Sequence, residues 1–157
     1  MDKAKAAFAS LRRILSCEIV ELGTRQRILE AIVWNLLHYG LVAFELTIAE
    51  ENKIIAMINS FEARVLDYNP WRTPSNSTLE DLISSRVRKF KKGLQRARLG
   101  FFGHLYRHPT TPAGSLLRER LALGDCHCLC RTLTSAGLDL AASLDRGKWR
   151  SALKNLR

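Results

Sequence analysis

The sequence lacks the residue patterns that most enzymes and membrane proteins need. Its six aspartates are widely scattered, and it contains no Gly-rich phosphate-binding loop and no recognisable Ser/His/Asp or Cys/His nucleophile set. The most apolar stretch, residues 28–46, contains Glu30, Asn35, His38 and Glu45, which a bilayer would accept only at high cost. We therefore expect no independent catalysis, no cofactor and no membrane span.

Cysteine is scarce and unevenly placed. Only four cysteines occur, Cys17 and three within residues 126–130, which makes a poor framework for disulfides. The first residues are charged, and no long apolar run follows them, so a secretory signal is not expected. We therefore expect reduced thiols, and a nuclear or cytoplasmic protein rather than a secreted one.

The crowded cysteines raise the question of a metal site. Three cysteines and a histidine are involved: Cys126, His127, Cys128 and Cys130. Structural zinc sites usually use pairs of thiolates spaced by two residues, whereas these are spaced by one. The other candidate ligands, His104 and His108, lie some twenty residues upstream. We expect no metal, and a metal-dependent module remains the weaker alternative.

Acidic residues are few compared with basic ones. The 157 residues include 25 lysines and arginines but 15 acids, which gives a formal net charge of +10 and a sequence pI near 10.0. The apolar share of 46% is enough for a real core in one compact domain or two small helical ones. Such a charge favours polyanionic partners, nucleic acid first.

Apolar periodicity predicts three helices in the first part of the chain. The first carries Ala4, Phe8, Leu11 and Leu15 on one stripe. Gly23 is expected to end this region, Thr24 to cap a second helix that starts near Arg25, and Gly40 to weaken or end that helix. The second helix shows three apolar pairs, which suggests deep burial: Ile28/Leu29, Ile32/Val33 and Leu36/Leu37.

A capping box predicts the third helix. Thr47 and Glu50 have the required spacing. The apolar face that follows consists of Ile54, Ile58, Phe61 and Val65. Residues 67–77 are rich in Pro, Asn and hydroxyl side chains, which break helices. The sequence therefore predicts an all-α fold: a three-helix bundle over 1–68, a linker over 69–77 and a basic helical region over 78–157.

The helix after this linker carries the strongest functional signal. A second capping box, Ser77 to Glu80, is predicted to open it, and one face is apolar: Leu79, Ile83, Val87, Phe90 and Leu94. No acid interrupts residues 86–98, and cations that neutralise phosphates gain affinity by releasing counterions. We predict phosphate contacts at five positions: Arg86, Lys89, Lys92, Arg96 and Arg98.

Weaker signals mark the rest of the chain. Pro112 suits the first turn of a helix, and Asp145 suits the cap of a last helix anchored by Trp149. We expect Tyr39 and Phe61 in the core rather than stacked on bases, and His104 in a packing or capping role.

The order of several short motifs resembles one known family. They are residues 11–15 (LRRIL), 24–29 (TRQRIL), 36–40 (LLHYG), 61–66 (FEARVL), 98–109 (RLGFFGHLYRHP) and 141–150 (AASLDRGKWR). Together they resemble the thumb and post-thumb region of reverse transcriptases from non-LTR, LINE-type retrotransposons. Residues 101–109 are similar to that family's aromatic-x-Gly-His-x-x-Arg-x-Pro segment, and residues 145–150 to its Asp-Arg-x-x-Trp-Arg element.

The resemblance implies a role and a set of partners. In such enzymes the thumb grips the template–primer duplex, and the metal-binding aspartates lie in the palm that precedes it. The chain is therefore expected to be a thumb-like fragment or degenerate copy that binds RNA or RNA–DNA duplex, and possibly DNA, without polymerising alone. The alternative that the residues leave open is a structural helical protein-interaction module with a basic surface.

Overall fold

The protein is built from helices, as predicted. The computed structural model describes residues 1–44, 46–67, 77–124 and 127–155, and these ranges contain no strand. The first helices are α1 (Asp2–Leu15), α2 (Leu22–Leu29), a π-helical turn (Glu30–Trp34), α3 (Asn35–Leu41) and α4 (Ile48–Val65). The later ones are α5 (Ser77–Arg107), α6 (Pro112–Ala122), α7 (His127–Ala136), a 3₁₀ turn (Leu140–Leu144) and α8 (Arg146–Lys154).

The chain divides into two compact units inside α5. Unit 1 comprises Met1–Lys91 and unit 2 comprises Lys92–Arg157. The predicted linker, residues 69–77, lies outside the described residues except for Ser77, which begins α5, so the predicted boundary stays a prediction. The Ser77 side chain of the predicted capping box is likewise outside the described part.

The core of unit 1 follows the predicted stripes closely. On α1, Ala4, Phe8 and Leu15 are buried, whereas Leu11 is only half-buried. All four residues predicted for the buried face of α4 are in the core. The rings of Phe8 and Phe61 stack with centroids 4.2 Å apart, so this aromatic pair joins α1 to α4.

A π-helical turn interrupts the long second helix and was not predicted. Such a turn adds a residue to one turn of helix, which shifts the side chains that follow by one position. Consequently Val33 and Trp34 are both buried although they are neighbours, and Ile32 is left 44% exposed. The predicted pairing of Ile32 with Val33 in the core is therefore wrong at Ile32, and Tyr39, also expected in the core, is 84% exposed.

The second helix also starts earlier than predicted. Glu21 is the N-cap of α2, so Thr24 lies inside the helix and is not its cap. Arg25 instead has a bridging role, because its Nη1 donates to Val65 O at 3.0 Å and to Leu15 O at 3.4 Å. Those two carbonyls end α4 and α1, where helices lack backbone partners, so Arg25 satisfies both ends.

Two predicted caps are confirmed. Thr47 Oγ1 accepts from Glu50 N, and the Glu50 carboxylate accepts from Thr47 N at 2.9 Å. These bonds to Thr47 lower the pKa of Glu50. In unit 2, Asp145 Oδ1 accepts from Gly147 N and Lys148 N, which caps α8 and lowers the pKa of Asp145.

Unit 2 has its own small core. The buried residues are Leu99, Leu117, Leu129, Leu133, Leu140 and Trp149. Pro112 occupies the first turn of α6, as predicted, and Thr111 caps it by accepting from Gly114 N. A Cβ on Gly114 would lie 2.8 Å from Leu105 O and closer still to His108 O, so only glycine permits this approach.

None of the helices in the described ranges combines the length and the apolar character that a bilayer-crossing segment requires.

Candidate nucleic-acid interface

The five cations predicted to contact phosphate do not share one environment. Arg86 and Lys89 belong to unit 1, and Lys92, Arg96 and Arg98 belong to unit 2. Arg86 is only 8% exposed, so it is not placed as a phosphate contact. The prediction that Arg86 contacts phosphate is therefore corrected: the side chain is buried because it pairs with two carboxylates, Glu62 and Glu30.

Arg86 lies at the centre of a buried ion-pair cluster. Its Nε donates to Glu62 Oε2 at 3.2 Å, its Nη2 donates to Glu62 Oε1 at 3.4 Å, and its Nη1 pairs with Glu30. The guanidinium carbon also lies 4.7 Å from the Trp34 ring centroid, a cation–π distance. All three guanidinium nitrogens are thus engaged inside unit 1, and these pairs compete with any phosphate for the same donors.

The two carboxylates of this cluster titrate differently. Burial raises the pKa of Glu62, and Arg86 opposes that effect without overcoming it. Glu30 is less buried; partial burial acts to raise its pKa, but bonds from Lys89 and Arg86 outweigh it and hold the pKa below its ordinary value. Glu30 is therefore a carboxylate at neutral pH that keeps two cations in place.

The Lys89 side chain is exposed, but it forms an ion pair with Glu30. Its side chain is 61% exposed, and its Nζ lies 2.7 Å from Glu30 Oε1. Lys91, on the same helix, lies 3.5 Å from Glu51 Oε1, with both side chains about half exposed. The cations of α5 in unit 1 are thus partly compensated by acids from α4 and the π turn.

His38, also in unit 1, should make the stability of the fold depend on pH. His38 Nε2 lies 3.2 Å from Phe90 O, and the two rings stack with centroids 4.7 Å apart. Partial burial lowers the pKa of His38, although the bond to Phe90 O acts in the opposite direction. A neutral imidazole is favoured in the fold, so its contribution is present above the unfolded pKa of about 6.5 and is lost as pH falls through the lower folded pKa.

We therefore expect the melting temperature to fall by roughly 1–3 °C between pH 7 and pH 5.5 because of this histidine. The His38→Gln variant should show a smaller fall, since its amide can still donate to Phe90 O without titrating. Melting curves followed by circular dichroism at several pH values measure the difference. Parallel curves for both proteins would contradict the assignment.

Unit 2 holds most of the net charge of the protein. Residues 92–157 contain 12 of the 25 lysines and arginines but 4 of the 15 acids, so their formal net charge is +8, against +2 for residues 1–91. Of the predicted contacts, Lys92 and Arg96 are exposed on α5, and Arg98 is half-buried. The surplus of positive charge is therefore concentrated in this unit, and three of the five predicted residues lie in it.

A second basic row was missed by the sequence analysis. Arg146, Arg150 and Lys154 follow one another at four-residue spacing on α8, and all three side chains are exposed. Residues four apart lie on one helix face, about 6 Å apart along the axis. The spacing was visible in the sequence, but this tail was interpreted only through its cap and its tryptophan.

Tight packing fixes α8 against α5 within unit 2. Trp149 is 3% exposed, and a Cβ on Gly103 would lie 2.8 Å from its Cε2 and closer still to its Nε1. Arg107, at the end of α5, donates from Nη1 to Ser143 O at 2.7 Å, just before α8. The predicted role of Trp149 as an anchor is confirmed, and the basic residues of both helices are carried on one packed frame.

Most of the residues considered as metal ligands in the sequence lie outside the described part of the structure. Residues 125 and 126 and the side chains of His127 and Cys128 are not described, and Cys130 is exposed. Within the described ranges, no group of three or more His, Cys, Asp or Glu side chains is arranged to hold a metal ion. His104, predicted to pack or cap, is exposed with its ring 4.5 Å from that of His108.

Comparison with known proteins gave no match to a protein-family model, to a curated protein or to a solved structure.

Proposed function

We propose that this chain is the nucleic-acid-binding thumb and post-thumb region of a non-LTR retrotransposon reverse transcriptase, and that unit 2 grips the phosphate backbone of RNA or RNA–DNA duplex. The observation that carries the proposal is the concentration of charge in unit 2, where the formal net charge is +8. Exposed cations on α5 and α8 contribute to it. Binding of this kind reads the backbone and carries little sequence preference.

The arrangement of the two motif segments supports the proposal. Segments 98–109 and 141–150, on which the family resemblance partly rests, are more than thirty residues apart in the chain. They pack together through Gly103 and Trp149 and through the bond from Arg107 to Ser143 O. Residues of the two motif segments therefore also hold α5 and α8 together within unit 2.

The proposal assigns no catalytic step to these residues. Two-metal phosphoryl transfer needs carboxylates that converge on the ions, and the aspartates of this sequence are scattered. The buried Glu62 and the partly buried Glu30 are already paired with Arg86. The chemistry of polymerisation would belong to a palm domain, and this chain would contribute grip on the duplex.

A salt titration tests the proposal. Binding to an RNA–DNA hybrid and to duplex DNA, measured by gel shift at several salt concentrations, should weaken linearly in log–log form, with a slope of about −0.9 per phosphate neutralised on DNA. Changing Arg150 and Lys154 together to glutamine should reduce the slope by roughly two and weaken binding at least about tenfold near 0.1 M salt.

The matched control removes the same charge from unit 1. Lys3 and Lys5 are exposed on α1, so changing both to glutamine lowers the net charge equally without touching unit 2. Its slope should stay close to that of the unaltered protein. No binding at low salt would end the proposal, and concentration-dependent self-association without binding would favour the protein-interaction module, consistent with exposed Ile32 and Tyr39.

A further inference from the structure

An open groove of about 450 Å³ lies in unit 2. Its polar lining consists of Tyr106 at the end of α5, Arg118 on α6 and Asp139 before the 3₁₀ turn. Leu121, Leu140 and Ala141 supply apolar surface beside them. The volume falls in the range of small-molecule sites, about 300–1,000 Å³.

The first wall of the groove offers flat surfaces. The Arg118 guanidinium carbon lies 5.3 Å from the centroid of the Tyr106 ring, and its Nη2 donates to Tyr106 O at 3.5 Å. Aromatic rings and guanidinium planes are the surfaces on which unpaired bases stack. A cation here also favours a ligand that carries phosphate.

Asp139, which also lines the groove, offers an acceptor. Asp139 Oδ1 accepts from Ala141 N at 3.0 Å and so caps the 3₁₀ turn, which fixes the carboxylate at the groove. The side chain is exposed, and its second oxygen can accept from a ligand. A carboxylate inside a strongly basic unit would repel an acidic peptide at close range, but it suits the N–H edge of a base.

We propose that this groove binds one unpaired nucleobase of single-stranded nucleic acid, with a preference for guanine. Guanine presents two adjacent N–H donors to a carboxylate, whereas uracil presents one donor between two carbonyl oxygens that a carboxylate repels. The proposal rests on the proposed function, because the net charge of unit 2 brings the strand to the groove. The groove would add a preference for one base to phosphate-backbone binding, which by itself has little sequence preference.

The test compares two labelled RNA hexamers by fluorescence anisotropy, one of uridines only and one with a single central guanosine. The guanosine should strengthen binding to the unaltered protein at least about fivefold. In Asp139→Asn the preference should fall below about twofold, while affinity for both hexamers rises because a negative charge is lost. Asparagine is an equally good cap, so the 3₁₀ turn should be kept, and circular dichroism checks this.

The outcomes separate the two proposals. A guanosine preference that disappears in Asp139→Asn supports the groove. Equal binding of both hexamers by the unaltered protein, or a preference unchanged in Asp139→Asn, overturns the groove alone and leaves backbone binding standing. Failure of both hexamers and of duplexes to bind at low salt overturns both proposals.

Discussion

The Glu62→Ala variant is expected to lose about 3–5 kcal/mol of unfolding free energy, and Arg86→Ala a similar amount. Arg86→Ala leaves the fully buried Glu62 without its partner, and Glu62→Ala leaves the guanidinium of Arg86, 8% exposed, with Glu30 as its remaining carboxylate partner. Domains of this size are stable by about 5–15 kcal/mol in total, so each variant should lose a large share of its stability. Urea unfolding followed by circular dichroism measures the loss.

Replacing the whole pair separates the cost of a stranded charge from a loss of packing. The double variant Glu62→Leu with Arg86→Met keeps the volume and removes both charges, so its stability should return to within about 1–2 kcal/mol of the unaltered protein. Glu30 keeps a partner in this variant, because Lys89 lies 2.7 Å from its Oε1.

An exposed pair provides the matched control. Lys91 and Glu51 lie 3.5 Å apart with both side chains about half exposed, so Lys91→Ala should cost less than about 1 kcal/mol. If Glu62→Ala cost no more than Lys91→Ala, the pair could not be buried as described. Arg86 would then return to the set of phosphate contacts.

Arg86 also illustrates what the sequence could and could not predict. The apolar face of α5 was visible from its periodicity, and Val87, Phe90 and Leu94 are indeed buried. Position 86 lies three residues after Ile83 and four before Phe90, which places it at the edge of that face. Its partners, Glu62 and Glu30, lie 24 and 56 residues away, and no local pattern connects them.

The other differences have equally specific causes. Helix identity and two caps were predictable because hydrophobic period and capping bonds act over three or four residues. The π turn was not, because it depends on fitting both Val33 and Trp34 into a core made by other helices. The basic row on α8 was predictable from spacing alone, whereas its packing on Gly103 depends on an approach between segments that are distant in sequence.

That approach gives the second large effect. Gly103→Ala is expected to destabilise unit 2 by about 2–4 kcal/mol, because the new methyl group would overlap the indole of Trp149. Trp149 is only 3% exposed, and the atoms that the methyl group would meet belong to its rigid indole ring rather than to the end of a flexible side chain. The ring can therefore move only by disturbing the core. This cost exceeds the gain of about 1 kcal/mol that alanine brings inside a helix.

Gly100 provides the comparison on the same helix. Its nearest atom from outside the helix backbone is Leu153 Cδ1 at 3.9 Å, an ordinary contact, so Gly100→Ala should stabilise the protein by roughly 0.5–1 kcal/mol. Urea unfolding of both variants should therefore give shifts of opposite sign. Adding Trp149→Leu to Gly103→Ala should recover part of the loss, because the smaller side chain makes room for the methyl group. Shifts of the same sign for both glycines would show that α8 does not approach α5 at Gly103, and the frame proposed to carry the cations of unit 2 would lose its support.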